Sequence, residues 1–526
     1  EIRLSLVGSE MCIRDRINII RMEKFLYGSN VHRIQSFIFE TGKLKEIIGA
    51  SELVEQICTT KFREKVGDSF SKEQLLVGAA GKITYLFEDY DSCQRVVFDF
   101  HKSIWEEVPG LHLTQAVVKV KDGIITGEHL TCLEERLDTQ KNKVPLQHGT
   151  GLMISERSRR TGGPAVFVDK EESYLDRKQV AKNDAQKSGR STLFDKILGD
   201  KHDKYSSEIF ALEPEQMLRD GESGWVAVIH ADGNNLGQTI QSIIKKVSKE
   251  RAGKDDVQKM IKSFSDKIDQ ATRSAAQEAF SQIVEPVYNR EKVKNPKTKL
   301  PFRLVLLGGD DLTMIIRGEL AVPFMNIFLK QFEHHTRNDF VDLVAQYNLS
   351  ELKEGLSACA GIAYIKPKYP FHYGVDLSES LCAYAKKHAK DLKEPKVPSC
   401  LAFHRVQSSF TEEYSTILKN ELTKNEITLT YMPYYLDTQH GSATIEQLIK
   451  WTKAIQEDEA PKAPIREWLT ELAISTESAN QLMNRIIALN PRYVNPLELK
   501  SAINEKLQTT HLQDVIALAS IGKIDK

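Results

Sequence analysis

Two runs of apolar residues near the middle of the chain enclose a short turn rich in glycine and aspartate. Residues 303–307 and 312–316 are mostly branched aliphatic residues. The turn between them is Gly308-Gly309-Asp310-Asp311. Apolar runs of this length that are bounded by glycine predict two strands of a hairpin, buried on both faces. We therefore expect two carboxylates at the tip of a buried hairpin.

A second apolar run, residues 225–230, leads into another acidic segment. That segment is Ala231-Asp232-Gly233-Asn234-Asn235-Leu236-Gly237. After it, apolar residues recur at helical spacing, at Leu236, Ile240, Ile243, Ile244 and Val247. The pattern places Asp232 where a strand passes into a helix. Its carboxylate can reach a metal there, and the free amides of the helix start can hold phosphate oxygens.

The crowding of carboxylates is what suggests chemistry. Adjacent like charges resist joint ionisation, and a divalent cation removes that cost. Gly308 and Gly309 leave room for a bulky group, such as a triphosphate, to approach the backbone. Simpler interpretations stay open for each segment alone, because Asp310 and Asp311 suit a solvated turn and Asp232 suits a helix cap. Taken together, the two segments favour a metal-dependent nucleotide site.

The same order of elements is present earlier in the chain without the acids. Residues 75–87 have the outline of strand, small-residue turn and strand. A strand at 34–39 and a helix at 43–57 are predicted before them, and a strand at 113–120 after them. From residue 225 to 406 the order returns. The predicted fold class is therefore α+β, with two ferredoxin-like (βαββαβ) units, the first of them free of metal.

The remaining chain divides by its regularity. We expect the first unit at residues 22–124, an irregular linker region at 125–222, the second unit at 223–410 and an all-helical C-terminal domain at 411–526. Within the linker region, the polar run 176–190 predicts loops. The pair His202-Asp203 lies nearby, and we interpret it as surface.

The N-terminal residues stand apart from this plan. Residues 5–16 resemble translated sequencing-adapter read-through and lack the parts of a signal peptide. We therefore expect residues 1–21 to be an artefactual or disordered leader and Met22 to be the start. No apolar run in the sequence is long enough to span a bilayer. The seven cysteines are scattered, which favours a reducing cytoplasm over a disulfide framework.

The balance of charge does not by itself indicate nucleic-acid binding. Lys and Arg number 72 against 73 Asp and Glu, which gives a net charge of −1. Basic residues do cluster locally, at 157–160, 245–246, 292–299 and 386–396. Most clusters of this kind are solvated faces.

The two acidic segments, taken with Ala385-Lys386, resemble the active palm of the large polymerase/cyclase subunit of type III CRISPR effector complexes. They are more distantly similar to GGDEF-type nucleotide cyclases. Residues 34–38 and Gly49-Ala50-Ser51 resemble that subunit's first, degenerate palm, so the resemblance covers nearly all of the chain from Met22.

Three departures from that family matter. We expect a form without the N-terminal HD nuclease domain. The linker region has the lone Cys132 where the family usually has a paired-cysteine zinc module. Finally, Asn234 stands where a second Asp often follows the strand, which removes one anionic ligand candidate.

The resemblance implies a catalytic second palm that polymerises ATP into cyclic oligoadenylates. It implies Asp232, Asp310 and Asp311 as catalytic residues that hold two Mg²⁺ or Mn²⁺ ions. The implied nucleotide-binding residues are Gly233, Asn234, Asn235, Leu236, Gly308, Gly309, Lys386 and Lys390. The expected partners are nucleoside triphosphates, guide or target RNA and other effector subunits, with no membrane and a cytoplasmic location.

Two other functions stay open. A cyclic dinucleotide synthase of the same palm class would use the same acids, and a catalytically silent scaffold subunit of an RNA-guided complex would not need them. A cyclase must bring two nucleotides together, and we predict that the acid-free first palm holds the acceptor nucleotide. The sequence does not indicate the base preference or the ring size of the product.

Overall fold

A computed structural model of the protein describes residues 23–120, 123–142, 154–170, 172–187, 192–199, 201, 205, 207–219, 224–250, 256–408, 413–438, 443–504 and 506–524. The expected leader, residues 1–21, and the pair His202-Asp203 lie outside these residues. Among the described residues, buried apolar side chains form one continuous cluster through both sheets and the C-terminal helices.

The first unit, which we call the first palm, is a four-stranded antiparallel sheet covered by helices. Its strands are β1 (Lys24–His32), β2 (Leu75–Ala79), β3 (Lys82–Phe87) and β4 (His112–Val120), in the order β2-β3-β1-β4. Its helices are α1 (Ile34–Ile38), α2 (Leu44–Gln56), α3 (Phe62–Val66) and α4 (Tyr90–Glu107). This strand order is that of a ferredoxin-like βαββαβ unit, as predicted.

One element of the first palm differs from its prediction. The predicted strand at residues 34–39 is wrong, because this segment is the short helix α1 and the strand precedes it as β1. Arg33 has a left-handed backbone (φ +54°) that ends β1 and turns the chain. A short apolar run fits a buried strand and a buried helix equally well, so its pattern could not separate the two.

The region between the two palms is more regular than predicted. It contains α5 (Gly127–Lys141), β5 (Ala165–Val168), β6 (Tyr174–Asp176), α6 (Arg177–Lys187) and α7 (Thr192–Leu198). The prediction of loops at residues 176–190 is wrong, because α6 occupies most of that run.

Helix α6 forms because its polar residues find partners in the first palm. It packs so closely on α2 that a Cβ on Gly49 would lie 1.7 Å from the carbonyl oxygen of Lys182. The fully buried ammonium of Lys182 donates to the Phe37 carbonyl (2.6 Å) and to a Glu40 carboxylate oxygen (3.1 Å). A helix that buries paired polar groups lacks the apolar periodicity by which a sequence identifies helices.

The second unit, which we call the second palm, repeats the plan with additions. Its strands are β7 (Val226–Gly233), β8 (Phe302–Gly308), β9 (Asp311–Arg317), β10 (Ala358–Ile365) and β11 (Cys400–Arg405). Its helices are α8 (Leu236–Glu250), α9 (Asp256–Ala279), α10 (Glu285–Lys294), α11 (Ala321–Asp339), α12 (Val341–Tyr347) and α13 (Phe371–Asp391). The order β10-β7-β9-β8 matches that of the first palm, and β11 extends the sheet in parallel to β10.

The C-terminal part is mainly helical. Its helices are α14 (Tyr414–Asn420), α15 (Ile445–Ile455), α16 (Lys462–Leu472), α17 (Thr476–Leu489) and α18 (Leu512–Ala519). Three short strands precede α15, namely β12 (Thr423–Lys424), β13 (Ile427–Thr428) and β14 (Tyr434–Tyr435), and β14 pairs with β11 of the second palm. The predicted fold class, α+β with two ferredoxin-like palms and a helical C-terminal domain, is confirmed. The prediction that residues 411–526 are all-helical is wrong, because β12, β13 and β14 lie among them and β14 extends the sheet of the second palm. None of the helices in the described residues is long and apolar enough to cross a membrane.

Candidate active site

The central hairpin brings three acidic residues to one edge of the second palm. Strands β8 and β9 are almost entirely buried, and Gly308 pairs with Asp311 at their junction. Strand β9 also pairs with β7, where Ala231 is opposite Leu312. One step further along, Asp232 lies opposite Asp311. Acids that are far apart in the sequence therefore meet at the hairpin tip.

Two glycines allow this approach. Gly309 has φ +61°, a left-handed conformation that disfavours other residues. A Cβ on Gly233 would lie 2.5 Å from a carboxylate oxygen of Asp310. Only glycine at position 233 lets the Asp310 carboxylate lie against the end of β7.

The backbone of the hairpin tip is held from outside the sheet. The hydroxyl of Thr272 on α9 donates to the Gly309 carbonyl at 2.5 Å. The ammonium of Lys196 on α7 donates to the Leu307 carbonyl at 2.9 Å. These bonds fix the loop that presents Asp310 and Asp311.

Helix α13 supplies a cation to the acids. The Lys386 ammonium donates to an Asp232 carboxylate oxygen and, at 2.9 Å, to the Gly233 carbonyl. This helix lies directly on β10, since a Cβ on Gly361 would be 1.9 Å from the Ser378 carbonyl oxygen. Lys390, one turn further along α13, is exposed to solvent. The structure therefore places Lys386 at the acids and Lys390 at the rim.

The acids are electrostatically strained without a metal. Burial, reinforced by the charge of Asp232, raises the pKa of Asp310 from 3.8 to about 6. Burial and the charges of Asp232 and Asp310 raise the pKa of Asp311 well above its usual range. Burial acts to lower the pKa of Lys386, but the Asp232 carboxylate outweighs it and the pKa is raised. A further cation would relieve the repulsion that Lys386 leaves.

Two residues at this edge were not predicted from the sequence. The Nδ1 atom of His230 lies 3.5 Å from Asp311 Oδ1 and 3.3 Å from the Thr313 hydroxyl, and burial lowers the pKa of His230 to about 4. Glu379 on α13 contributes charge that raises the pKa of Asp311, and burial raises the pKa of Glu379 itself. The sequence spacing does place them there. His230 and Asp232 are two residues apart on a strand and so share one face of the sheet, and Glu379 and Lys386 are two turns apart on one face of α13.

The segment after Asp232 leads into helix α8, and its residues take different positions. Helix α8 begins at Leu236, as predicted, and Asn235 before it has φ +56°. Asn234 is buried, and its side-chain amide donates to the Ser357 hydroxyl at 3.0 Å while its backbone amide donates to the Ser357 carbonyl at 2.8 Å. The side chain of Asn234 thus ties β7 to the segment before β10, and its predicted contact with a nucleotide stays a prediction.

A cavity of about 1230 Å³ joins the acids to the first palm. Asp311 and Glu379 lie on its second-palm side. The titratable residues that line its other side are basic, namely His32, Arg33, His101, His112 and Lys141. The tips of the two hairpins meet at this cavity, because a Cβ on Gly308 would lie 3.1 Å from the backbone nitrogen of Ala80.

The donor groups at this edge fit a hard divalent cation by their chemistry. Carboxylates and a backbone carbonyl are the ligands such ions prefer. Asp311 Oδ1 is buried and has no hydrogen-bond partner, and a cationic group, the Lys386 ammonium, already lies between Asp232 and the Gly233 carbonyl. The side chains of Asp232 and Asp311 remain 42% and 26% exposed, so a ligand can reach them. As the described residues stand, no three His, Cys, Asp or Glu side chains are arranged closely enough to hold a metal ion.

Comparison with known proteins matches one segment of the chain to a described family and the fold to several solved structures. Residues 225–393 match the family described as Cas10/Cmr2, second palm domain. No curated protein sequence matches the chain. The fold resembles a Csm1–Csm4 cassette solved in complex with cA3, with a TM-score of 0.52 and 10% identity over 97% of this chain and 71% of that one.

Two further solved structures give similar values. A Csm1–Csm4 cassette in complex with one ATP matches with a TM-score of 0.51 and 12% identity, over 95% of this chain and 70% of that one. Csm1 from T. onnurineus matches with a TM-score of 0.51 and 11% identity, also over 95% and 70%. The resemblance to the palm-domain subunit of type III CRISPR complexes is therefore confirmed.

Proposed function

We propose, from a chain that has a Cas10/Cmr2-type second palm within a Csm1-like fold, that this protein is a nucleotidyltransferase that makes cyclic oligoadenylates from ATP. The observation that carries the proposal is the meeting of Asp232, Asp310 and Asp311 beside a cavity whose opposite wall carries the charges of Arg33 and Lys141. Three crowded carboxylates cost stability in the absence of a cation, so a protein that only held others together would gain nothing from them.

The acids and the Gly233 carbonyl would hold Mg²⁺ or Mn²⁺. A bound ion of this kind stabilises charge on a phosphate under attack and assists both the entering and the leaving oxygen. The other contributions belong to this chain. The amides of Asn235 and Leu236, at the start of α8, offer hydrogen bonds to phosphate oxygens. The Lys386 ammonium, which lies at Asp232 in this structure, is close enough to exchange that contact for a triphosphate oxygen.

The acceptor nucleotide would occupy the first-palm side of the cavity. Arg33 and Lys141 there can hold its phosphates, and its 3′-hydroxyl would then face Asp310 and Asp311 across the hairpin tips. The residue that marks this junction is Ala80, whose backbone faces Gly308.

The setting we propose is antiviral defence of the type III CRISPR kind, in the cytoplasm and together with RNA and other effector subunits. Support comes from the solved relatives, one of which is a Csm1–Csm4 cassette with cA3 and another the same kind of cassette with one ATP.

The test is turnover of ATP and of GTP with Mg²⁺ by the purified chain, with products identified by mass spectrometry. We expect cyclic oligoadenylates from wild type and a loss of roughly 10³-fold or more in the double variant Asp310→Asn/Asp311→Asn, since several kcal/mol of charge stabilisation is removed. The matched control Asp99→Asn/Asp458→Asn changes two exposed acids and should keep full activity.

Thermal unfolding separates lost chemistry from lost structure. Burial and mutual repulsion raise the pKa values of Asp310 and Asp311. Replacing both by asparagine removes this repulsion and should therefore leave the melting temperature unchanged or raise it. Cyclic dinucleotides as products would show a synthase of that class instead. Turnover that survives in the double variant would refute the assignment of these acids.

A further inference from the structure

A second cleft lies at the opposite end of the central hairpin from the acids. It has a volume of about 670 Å³ and is bounded by helix α10, the loop that leads from it to β8, and residues 216–219. The residues that line it are Gln216, Leu218, Arg219, Val287, Arg290, Glu291, Lys294, Asn295, Lys297, Thr298 and Lys299. We call it the basic cleft.

Positive charge dominates this cleft. Its lining contains five Lys or Arg side chains and one carboxylate, that of Glu291. Arg317 donates two hydrogen bonds to Glu291, at 2.8 and 2.9 Å, and Arg219 donates a third at 3.0 Å. The one carboxylate of the described lining is thus already paired with Arg317 and Arg219. In a chain with a net charge of −1, this is a strong local excess of positive charge.

The cations are spread over the walls of the cleft. Arg290 and Lys294 are four residues apart on α10 and therefore share one helix face, and both are exposed. Lys297 is exposed on the following loop, and Arg219 lies on the segment opposite α10. Neutral donors are interspersed at Gln216, Asn295 and Thr298. A chain of phosphates can contact several of these groups at once.

The lining also indicates what does not bind. Among the described residues that line it there is no aromatic side chain, and the apolar ones are Leu218 and Val287. A docked protein usually needs aromatic or aliphatic anchors in a buried centre. Base stacking needs aromatic platforms. Of its two aliphatic residues, Val287 is buried and Leu218 is partly buried, so charge and polar donors are the main features left for recognition.

We propose that the basic cleft binds the backbone of a single-stranded nucleic acid through its phosphates, without reading its bases. The cleft is separate from the acidic site, because β8 (Phe302–Gly308) runs from one to the other and seven strand residues span about 20 Å. The inference goes beyond the nucleotidyltransferase proposal and does not depend on it.

The experiment measures binding of fluorescein-labelled oligouridylate and oligothymidylate to the full chain by anisotropy over a range of salt concentrations. The cleft variant is Arg290→Gln/Lys294→Gln/Lys297→Gln. The matched control is Lys353→Gln/Lys419→Gln/Lys453→Gln, which removes the same charge from exposed positions elsewhere. We expect the cleft variant alone to lose about 10-fold or more in affinity for both probes. We also expect its slope of log K against log salt to fall by about 2, since each single-strand phosphate contact contributes about 0.7.

Several results would overturn the proposal. They are an absence of binding to wild type, equal affinities of the cleft and control variants, and competition by polyglutamate as strong as by unlabelled oligouridylate, which would indicate an acidic protein segment as the ligand. ATP turnover by the cleft variant should equal that of wild type. That readout keeps a failure of the cleft proposal distinguishable from a failure of the proposed chemistry.

Discussion

The two palms have the same strand order but carry different chemistry at the same place. In the second palm, the register between β7 and β9 ends with Ala231 opposite Leu312, and its continuation by one residue places Asp232 opposite Asp311. In the first palm, the corresponding register places Asn30 of β1 opposite Lys82 of β3. The fold therefore forms with or without acids at this edge. This difference indicates that the acids of the second palm serve a ligand and not the sheet.

Each palm also adds a helix after the fourth strand of its βαββαβ unit. Helix α5 follows β4 and packs on β1, where a Cβ on Gly28 would lie 2.8 Å from the Leu133 side chain. Helix α13 follows β10 and packs on β7. Each helix brings one lysine to the cavity region, Lys141 in the first palm and Lys386 in the second. Lys141 of the first palm therefore lies among basic residues, whereas Lys386 of the second palm lies among acids.

Among the variants that compare the two palms, the largest effect is expected at Lys386, which pairs with Asp232. Lys386→Gln should lower ATP turnover by roughly 10²–10³-fold, because it removes a charge placed where negative charge develops. Lys141→Gln should act less strongly and mainly on KM for ATP, because we place it on the acceptor side.

Lys390→Gln is the control for this pair, since Lys390 is exposed on the same helix. Steady-state kinetics on the three variants would measure these differences. Equal losses in Lys386→Gln and Lys390→Gln would contradict the placement of Lys386.

A second, smaller effect is expected where the two hairpin tips meet. Ala80→Trp should lower formation of the first phosphodiester bond by about 10²-fold, because an indole beside Gly308 would displace the acceptor by an ångström or more. Binding of one nucleotide at the second palm should persist, which equilibrium dialysis with a non-hydrolysable ATP analogue would test.

Ala80→Gly provides the matched control. Ala80 has φ +50°, so glycine relieves backbone strain there and should raise the melting temperature slightly while activity is kept. Full product formation by Ala80→Trp would show that the acceptor does not pass this junction.

The smallest expected effect is a pH dependence of opposite sign in the two palms. The pKa of Asp310 is raised from 3.8 to about 6 by burial and by Asp232, so its contribution to stability is complete below about 4 and is lost as the pH rises through about 6. The pKa of His112 is lowered from 6.5 by burial and by Arg33, so its contribution is complete above 6.5 and is lost as the pH falls.

Melting temperatures of metal-free Asp310→Asn and His112→Gln, each relative to wild type, would test this. The advantage of Asp310→Asn should widen as the pH rises from 5 to 7, and that of His112→Gln as it falls, each by on the order of 1 kcal/mol or less after solvent screening. Parallel pH profiles for the two variants would refute the opposite signs.

The sequence predicted the parts of this molecule that depend on local pattern. The apolar runs around Gly308 to Asp311 and before Asp232 are the strands β8, β9 and β7, and the helical spacing after Leu236 is α8. From these, the convergence of three acids followed. Lys386 lies at the acids, paired with Asp232, and the triphosphate contact that the resemblance implies for it stays a prediction.

What the sequence could not predict depends on contacts between distant residues. Helix α6 has little apolar periodicity, and it is stabilised by Lys182 meeting Glu40 and the Phe37 carbonyl. The bond between Asn234 and Ser357 likewise joins residues that are far apart in the chain. No local spacing signals such a partner.

The Lys196 side chain connects the central hairpin of the second palm to helix α2 of the first palm. Its ammonium contacts the Leu307 carbonyl at 2.9 Å and a Glu55 carboxylate oxygen on α2 at 2.7 Å, largely out of solvent. The hairpin tip is thus linked to α2 of the first palm through the Lys196 side chain. Any displacement of α2 would therefore also displace the backbone next to Asp310 and Asp311, so the geometry of these acids depends on the packing of the first palm.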